Sequence, residues 1–191
     1  MQEEIITQPE NIQHDVNSTE VKSIFSCWYD ALAHFFDSKG RVSCYEYWAF
    51  QTVNVLIFIL AAFIGWLFSA YKIVFEILAL YFIIPVSFIS ARRLHDLGLS
   101  GKWAIPNSVL ALIAVVLWDM QSNYAIIFAY ALLVYSTFLS WILISAGEEQ
   151  NNIYGEKVQE AEFYTQDSIF FIRFMAILLA FLWLFFLIKV F

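Results

Sequence analysis

"SARRLHDLGLSGKW", residues 90–103, sets two arginines, a histidine, an aspartate and a lysine between two long apolar runs. Its spacing has a mechanical meaning. If the apolar run before it continues as a helix, Arg92 and Asp96 lie four apart and Arg93 and Asp96 three apart. Both arginines can then share the aspartate on one helical face. Gly98 suits a helix C-cap, where a left-handed residue is wanted. Ser100 can cap the next helix, with Gly101 and Lys102 in its first turn. Trp103 follows as an interfacial anchor. The stretch reads as helix, capped end, tight turn, new helix.

The flanking composition says what those helices are dissolved in. The chain of 191 residues is 61% hydrophobic and 14% charged, with 20 Phe, 10 Tyr and 7 Trp. A soluble domain runs nearer a quarter charged and under half apolar. One soluble core of this size cannot hide so much aromatic surface, so the bilayer is the expected solvent. The expected fold is an all-α polytopic transmembrane bundle of about five spans. They run Trp48 to about Tyr71, Ile73 to about Ala91, Trp103–Trp118, Tyr124 to about Ala146, and Ser168–Phe191. Trp48 and Trp66 would stand about 27 Å apart, which suits two aromatic belts. Pro85 falls inside the second span and Pro106 in the first turn of the third. Lys72 and Glu76, four apart, suit an interfacial pair.

Ahead of the first span, "SIFSCWYDALAHFFD", residues 23–37, repeats Ile24, Trp28, Leu32 and Phe35 at helical spacing. It reads as an amphipathic interfacial helix that packs on the other helices or on lipid. His34 suits a solvated interfacial position. Residues 1–22 read as a disordered acidic tail, 23–158 as the membrane domain, and 159–191 as a linker plus an added C-terminal span. No basic n-region and apolar h-region open the chain, so the first span acts as the insertion signal. A net charge of −7 gives no case for nucleic acid. Cys27 and Cys44 are expected as buried or interfacial thiols.

The basic residues set an orientation. With the N-terminus inside, eight of the ten Lys and Arg lie on the inner side and only Lys72 and Lys189 outside. Three polar stretches then emerge on the inner face: "SKGRVSCYEYW" (38–48), the central turn, and "EEQNNIYGEKV" (148–158). Glu46 suits a pair with Arg41, or with Arg92 or Arg93 across helices.

At these residues the chain resembles the small bacterial inner-membrane proteins grouped as domain of unknown function 805. The resemblance rests on "GRVSCYEYWAF", "SARRLHDLGLSGKW" and "NNIYGEKV" in that order. It implies a multi-pass inner-membrane fold and no established activity. With Glu46, marked by its place just before the first apolar run, these motifs make the candidate cluster Arg41, Glu46, Arg92, Arg93, His95, Asp96, Gly98, Ser100, Gly101, Trp103, Asn152, Tyr154 and Gly155.

The expected role is binding or structural support, with the cluster meeting lipid headgroups, a partner membrane protein or a second copy. The alternative is a small transporter or channel using Asn54, Glu76, Ser87, Asn107, Ser136 and Thr137 inside the spans. A lipid-modifying enzyme with His95 as base is the third reading. It is disfavoured because adjacent helical residues point about 100° apart, so Asp96 would not orient His95. Histidines at 14, 34 and 95 make no metal set, and no cofactor motif is present.

Overall fold

The computed structural model describes residues 22–68 and 71–158. It is all-helical: α1 (Ile24–Ala33), α2 (Cys44–Leu67), α3 (Tyr71–Asp96), a 3-10 turn (Gly101–Ala104), α4 (Ile105–Asp119) and α5 (Ala125–Leu143). Among the described residues, four helical stretches are long and apolar enough to cross a membrane: Cys44–Gly65, Glu76–Asp96, Gly101–Asp119 and Ala125–Leu143. The protein is therefore a helical membrane protein. The expected acidic tail, apart from Lys22, and the expected fifth span at 168–191 lie outside the described residues.

Chain neighbours pack on one another along the series α1 to α5, and α3 also touches α5. The core is lopsided. Phe50, Ile89, Leu94 and Leu143 are fully buried and sit near one end of the bundle. The α4 and α5 stretches bury only 6% and 11% of themselves, and Leu112, Val116, Ile127, Val134 and Phe138 stand exposed. Soluble surfaces do not carry so continuous an apolar belt. It is what a lipid solvent permits.

At two of the helix boundaries that differ from the sequence expectation the physical reason is plain. The first is at α2, which starts at Cys44, four residues before Trp48. Ser43 and Glu46 form a reciprocal cap there. The Glu46 amide donates to Ser43 Oγ at 3.1 Å, and the Ser43 amide donates to the Glu46 carboxylate at 3.3 Å. "SCYE" is thus a capping box. The second is at α1, which stops at Ala33 instead of reaching 37, with His34 closing it over the Asp30 carbonyl. Its buried residues are Cys27 and Ala31, flanked by Trp28 and Leu32, while Ile24 is 43% exposed. Small side chains face the bundle and let α1 lie close, so the large residues pack beside that line.

Polar residues inside the spans tie neighbouring helices together. Trp28 Nε1 donates to Asn54 Oδ1 at 3.1 Å and pins α1 to α2. The Ser87 and Ser108 hydroxyls bond α3 to α4. Ser136 donates to Asn107 at 2.7 Å and joins α4 to α5. Thr137 donates to its own helix at the Leu133 carbonyl. The side chain of Lys72, expected to pair with Glu76, lies outside the described residues.

Turns follow the cap rules. After α3 the Leu99 amide reaches the Leu94 carbonyl at 2.9 Å and the Gly98 amide reaches that of His95 at 3.1 Å. This is a Schellman end, with Gly98 at φ +70° as anticipated. The same bonding ends α4, where Ser122 reaches Leu117 and Gln121 reaches Trp118. Here the left-handed residue is Gln121 at φ 52°. Ser100 caps the 3-10 turn, accepting from the Lys102 amide.

Lys22 ties the start of α1 to α2. Its ammonium lies 3.0 Å from Glu46 and 3.1 Å from Asp30. The Glu46 hydrogen bond, ahead of the smaller effect of Asp30, raises its pKa above the usual 10.5. Its stabilising effect is therefore full at neutral pH and is lost only as pH climbs through that raised value. Burial likewise pushes the Cys27 thiol up, and both cysteines are buried thiols outside any disulfide.

Two outcomes follow. Gln121→Gly should stabilise the protein by about 0.5–1 kcal/mol, because glycine adopts the left-handed region without strain. A raised midpoint of thermal unfolding checks this, and an unchanged or lowered one contradicts it. Neither cysteine should react with maleimide in intact membranes at pH 7, while both should react after denaturation, as mass spectrometry would count.

Candidate functional site

The three polar stretches converge at one end of the bundle. The centre is Asp96, at the last turn of α3 and 2% exposed. Its Oδ1 accepts from Arg41 Nε at 2.8 Å, and its Oδ2 accepts from Arg93 Nη1. Both guanidinium-bearing side chains are sealed, at 1% and 0% exposure. One carboxylate thus serves two arginines, and the excess positive charge needs further acceptors. The backbone supplies them. Arg93 Nε donates to Leu143 O at 3.1 Å and its Nη2 donates to Ser145 O. Arg41 Nη2 and Nη1 donate to Glu148 O and Gln150 O, each at 2.7 Å.

The choice of those carbonyls is physical. The last carbonyls of a helix have no intrahelical partner and carry the negative end of its dipole. Leu143 ends α5. A buried cation set against that end satisfies both groups. Cys44 Sγ, 3.7 Å from the Leu143 and Ile144 carbonyls, adds a weaker donor there. The knot therefore fastens the loop before α2 and the end of α3 to the end of α5.

The chain beyond α5 then folds back over the end of α3. The Glu148 amide donates to the Asp96 carbonyl at 2.8 Å. Asn152 Nδ2 donates to the His95 carbonyl at 2.9 Å and to Glu148 Oε2 at 2.8 Å. Asn152 and Gly155 exchange backbone bonds in a tight turn, with Gly155 at φ +147°. That turn lays the Tyr154 ring flat on His95, with centroids 3.9 Å apart and planes 4° from parallel. His95 Nδ1 lies 3.2 Å from the Gly40 carbonyl, a contact that places a proton on Nδ1.

Glycine is required where backbone meets these side chains. A Cβ on Gly147 would stand 2.1 Å from Asp96 Oδ2. A Cβ on Gly101 would stand 2.8 Å from His95 Nε2 and 2.9 Å from the Ala91 Cβ. Gly101 thus lets the turn into α4 press on α3.

Of the residues anticipated as a site, Arg41, Arg93, Asp96, His95, Asn152, Tyr154 and Gly155 come together as one cap. Gly98, Ser100 and Gly101 shape the turn beside it. Trp103 is 53% exposed, and its carbonyl accepts from Tyr135 at 2.6 Å. Two expectations are corrected. Glu46 pairs with Lys22 and caps α2, and does not bond an arginine, because Ser43 holds its carboxylate at the helix start. Arg92 does not share Asp96, whose two oxygens are taken by Arg41 and Arg93. Residues the sequence reading passed over are Lys22, Gly40, Ser43, Gly147 and Glu148. Only the S-x-x-E spacing of Ser43 and Glu46 was a usable signal.

The fold and this cap define a helical membrane protein with a polar end built from three separated motifs. The pattern of the family described as Protein of unknown function (DUF805) matches residues 35–156. The chain belongs to that family. The matched segment holds the first two motifs whole and the third as far as Glu156. No curated protein and no solved structure matches the chain.

The knot makes a sharp prediction. Asp96→Ala leaves two buried guanidinium groups without their carboxylate and should cost about 3–5 kcal/mol. Gly147→Ala should cost a comparable amount by forcing the carboxylate aside, although it changes no charge. Thermal unfolding in detergent checks both. A Gly147→Ala protein as stable as wild type would contradict the packing described.

Proposed function

We propose that this chain is a non-catalytic, multi-pass protein of the bacterial inner membrane, with its N-terminus and polar cap in the cytoplasm. The cap is a rigid platform that meets lipid headgroups or a partner membrane protein. One observation carries this reading. Asp96, Arg41 and Arg93 are buried and engage one another and backbone carbonyls, so the most charged part of the site has no group left for chemistry. Such a cluster fixes geometry more than it reacts. The exposed charges at this end are of both signs, Lys39, Lys102 and Lys157 with Asp37, Glu148, Glu149 and Glu156, and the half-buried Arg92 and His95 lie beside them.

Two further features support it. His95 and Asp96 address different partners, Gly40 and the arginines, so they do not act as base and orienter. The three motifs that converge on the cap bring Lys39, Arg41, Arg92, Arg93, Lys102 and Lys157 to one end, which favours the cytoplasmic side for that end.

Native mass spectrometry of gently extracted protein tests the platform. Wild type should carry a defined lipid or protein, and Arg92→Ala with Lys102→Ala should lose it while remaining folded. A wild type that emerges bare would overturn the reading. Orientation is checked by single added cysteines, the native pair being sealed. A membrane-impermeant maleimide should label Ser122→Cys in intact cells with the outer membrane permeabilised, and should label Ser38→Cys only after lysis. The reverse pattern would invert the topology.

A further inference from the structure

α1 carries three different sides. Cys27 and Ala31, four apart, are buried against the bundle. Ser26, Asp30 and His34, also four apart, form a polar side. Its groups are engaged locally. Asp30 pairs with Lys22 at 3.1 Å, His34 Nδ1 meets the Asp30 carbonyl at 2.9 Å, and the Ser26 amide donates to Ser23 Oγ at 3.1 Å. Phe25 and Tyr29 make the third side, 70% and 69% exposed, and Phe36 in the turn beyond adds a ring 66% exposed. Three large open rings on one short helix and its turn call for an apolar surface to cover them.

Depth decides what that surface is. Trp28 Nε1 donates to Asn54, which stands about 15 Å along α2 from Cys44 at the helical rise. Phe36 meets Phe88 edge-on at 6.0 Å, and Phe88 lies about 12 Å back along α3 from its last residue. A helix resting on the water side of the spans could reach neither. α1 is therefore sunk beside the spans, at a level where α2 already turns an apolar residue outward, Leu56 at 58% exposure. Charge does not hold it there. Residues 22–39 carry Lys22 and Lys39 against Asp30 and Asp37, with no Lys or Arg in the helix between. An interfacial helix drawn by anionic headgroups has a basic polar face. This one is balanced.

We infer that α1 is a wedge in one leaflet. Phe25, Tyr29 and Phe36 sit among the acyl chains of the leaflet on the cap side, and they draw the protein to loosely packed, convexly curved lipid whatever its headgroup charge. The helix takes up area in that leaflet alone. Bulky rings fill the gaps that open between lipids when a leaflet is stretched, and a polar face without basic residues adds no attraction to anionic surfaces. The hydrogen bond from Trp28 to Asn54 and the Lys22 pairs hold the wedge to the spans, so its preference becomes that of the whole protein. The inference goes beyond the platform reading, which concerns the cap.

Two measurements on the full chain in dioleoylphosphatidylcholine liposomes test it. The first places a nitroxide on Phe25→Cys, Tyr29→Cys or Ser26→Cys, the native cysteines being sealed. Dissolved oxygen should reach the labels at 25 and 29 and a water-soluble nickel chelate should not, while the chelate should reach the label at 26. Chelate access at 25 and 29 would put that side in water. Access by neither reagent would mean cover by protein, such as a second copy. Either overturns the inference. The second measures selection. An impermeant dye on Ser38→Cys marks the copies whose cap faces outward. Their surface density should be at least about twofold higher on liposomes of about 50 nm than on those of about 300 nm diameter. Replacing about a third of the lipid by phosphatidylglycerol should leave that ratio unchanged. Phe25→Ser with Tyr29→Ser should remove about half of the excess or more. Should the double variant not yield folded protein, Tyr29→Ser alone should lower the ratio. A flat density in wild type, a ratio that needs phosphatidylglycerol, or one that the serine variant leaves intact overturns the inference and leaves the platform reading standing.

Discussion

One carboxylate shared by two buried guanidinium groups is the constraint on which the rest of this structure depends. In a membrane the spans gain little by packing, because lipid tails are as apolar as leucine. Burying charge is costly, so it happens only where each group meets a partner. Asp96 meets Arg41 from the loop before α2 and Arg93 from its own helix, and both arginines run on to carbonyls at and beyond the end of α5. The cost of desolvation is offset only in that arrangement. The knot therefore fixes which helix ends meet, and the core around Phe50, Leu94 and Leu143 fills the space beneath it.

Away from the cap the bundle is held by smaller bonds of the same kind. The Tyr47 and Ser90 hydroxyls lie 3.4 Å apart between α2 and α3, and Gln51 donates to Tyr47 at 2.9 Å. Trp28 on Asn54, Ser87 on Ser108 and Ser136 on Asn107 continue the pattern. Each joins helices adjacent in the chain. Of the polar residues that a transport pathway would draw on, Asn54, Ser87, Asn107 and Ser136 join neighbouring helices, and Thr137 bonds its own helix. The apolar remainder, exposed along α4 and α5, faces lipid.

Much of this was legible in the sequence. The apolar runs named the spans because only a long continuous run matches a bilayer. Gly98 and Ser100 marked the turn because their conformations and caps are local properties. The interhelical partners were not legible, because they depend on how helix ends meet. Arg92 and Arg93 both have helical spacing to Asp96, and only the packed bundle shows that Arg41 displaces Arg92. Glu46 looked like a counter-ion, yet its nearest obligation was local: the "SCYE" cap could have been read from spacing alone. Gly147 gave no signal, since its need arises from an aspartate 51 positions earlier in the chain. The family match supports the spans and leaves activity open.

The measurement that tests the central claim most directly is a double-mutant cycle on unfolding free energy between Arg41→Met and Asp96→Asn, with the full chain in one detergent. Residues that share a buried charge network are strongly non-additive, while independent sites add to within about 0.5 kcal/mol. A coupling of about 1–3 kcal/mol, with the double variant far less damaged than the sum of the singles, is the result this account predicts. Additive losses would mean that Arg41 and Asp96 do not depend on each other, and the knot would not be what closes the bundle.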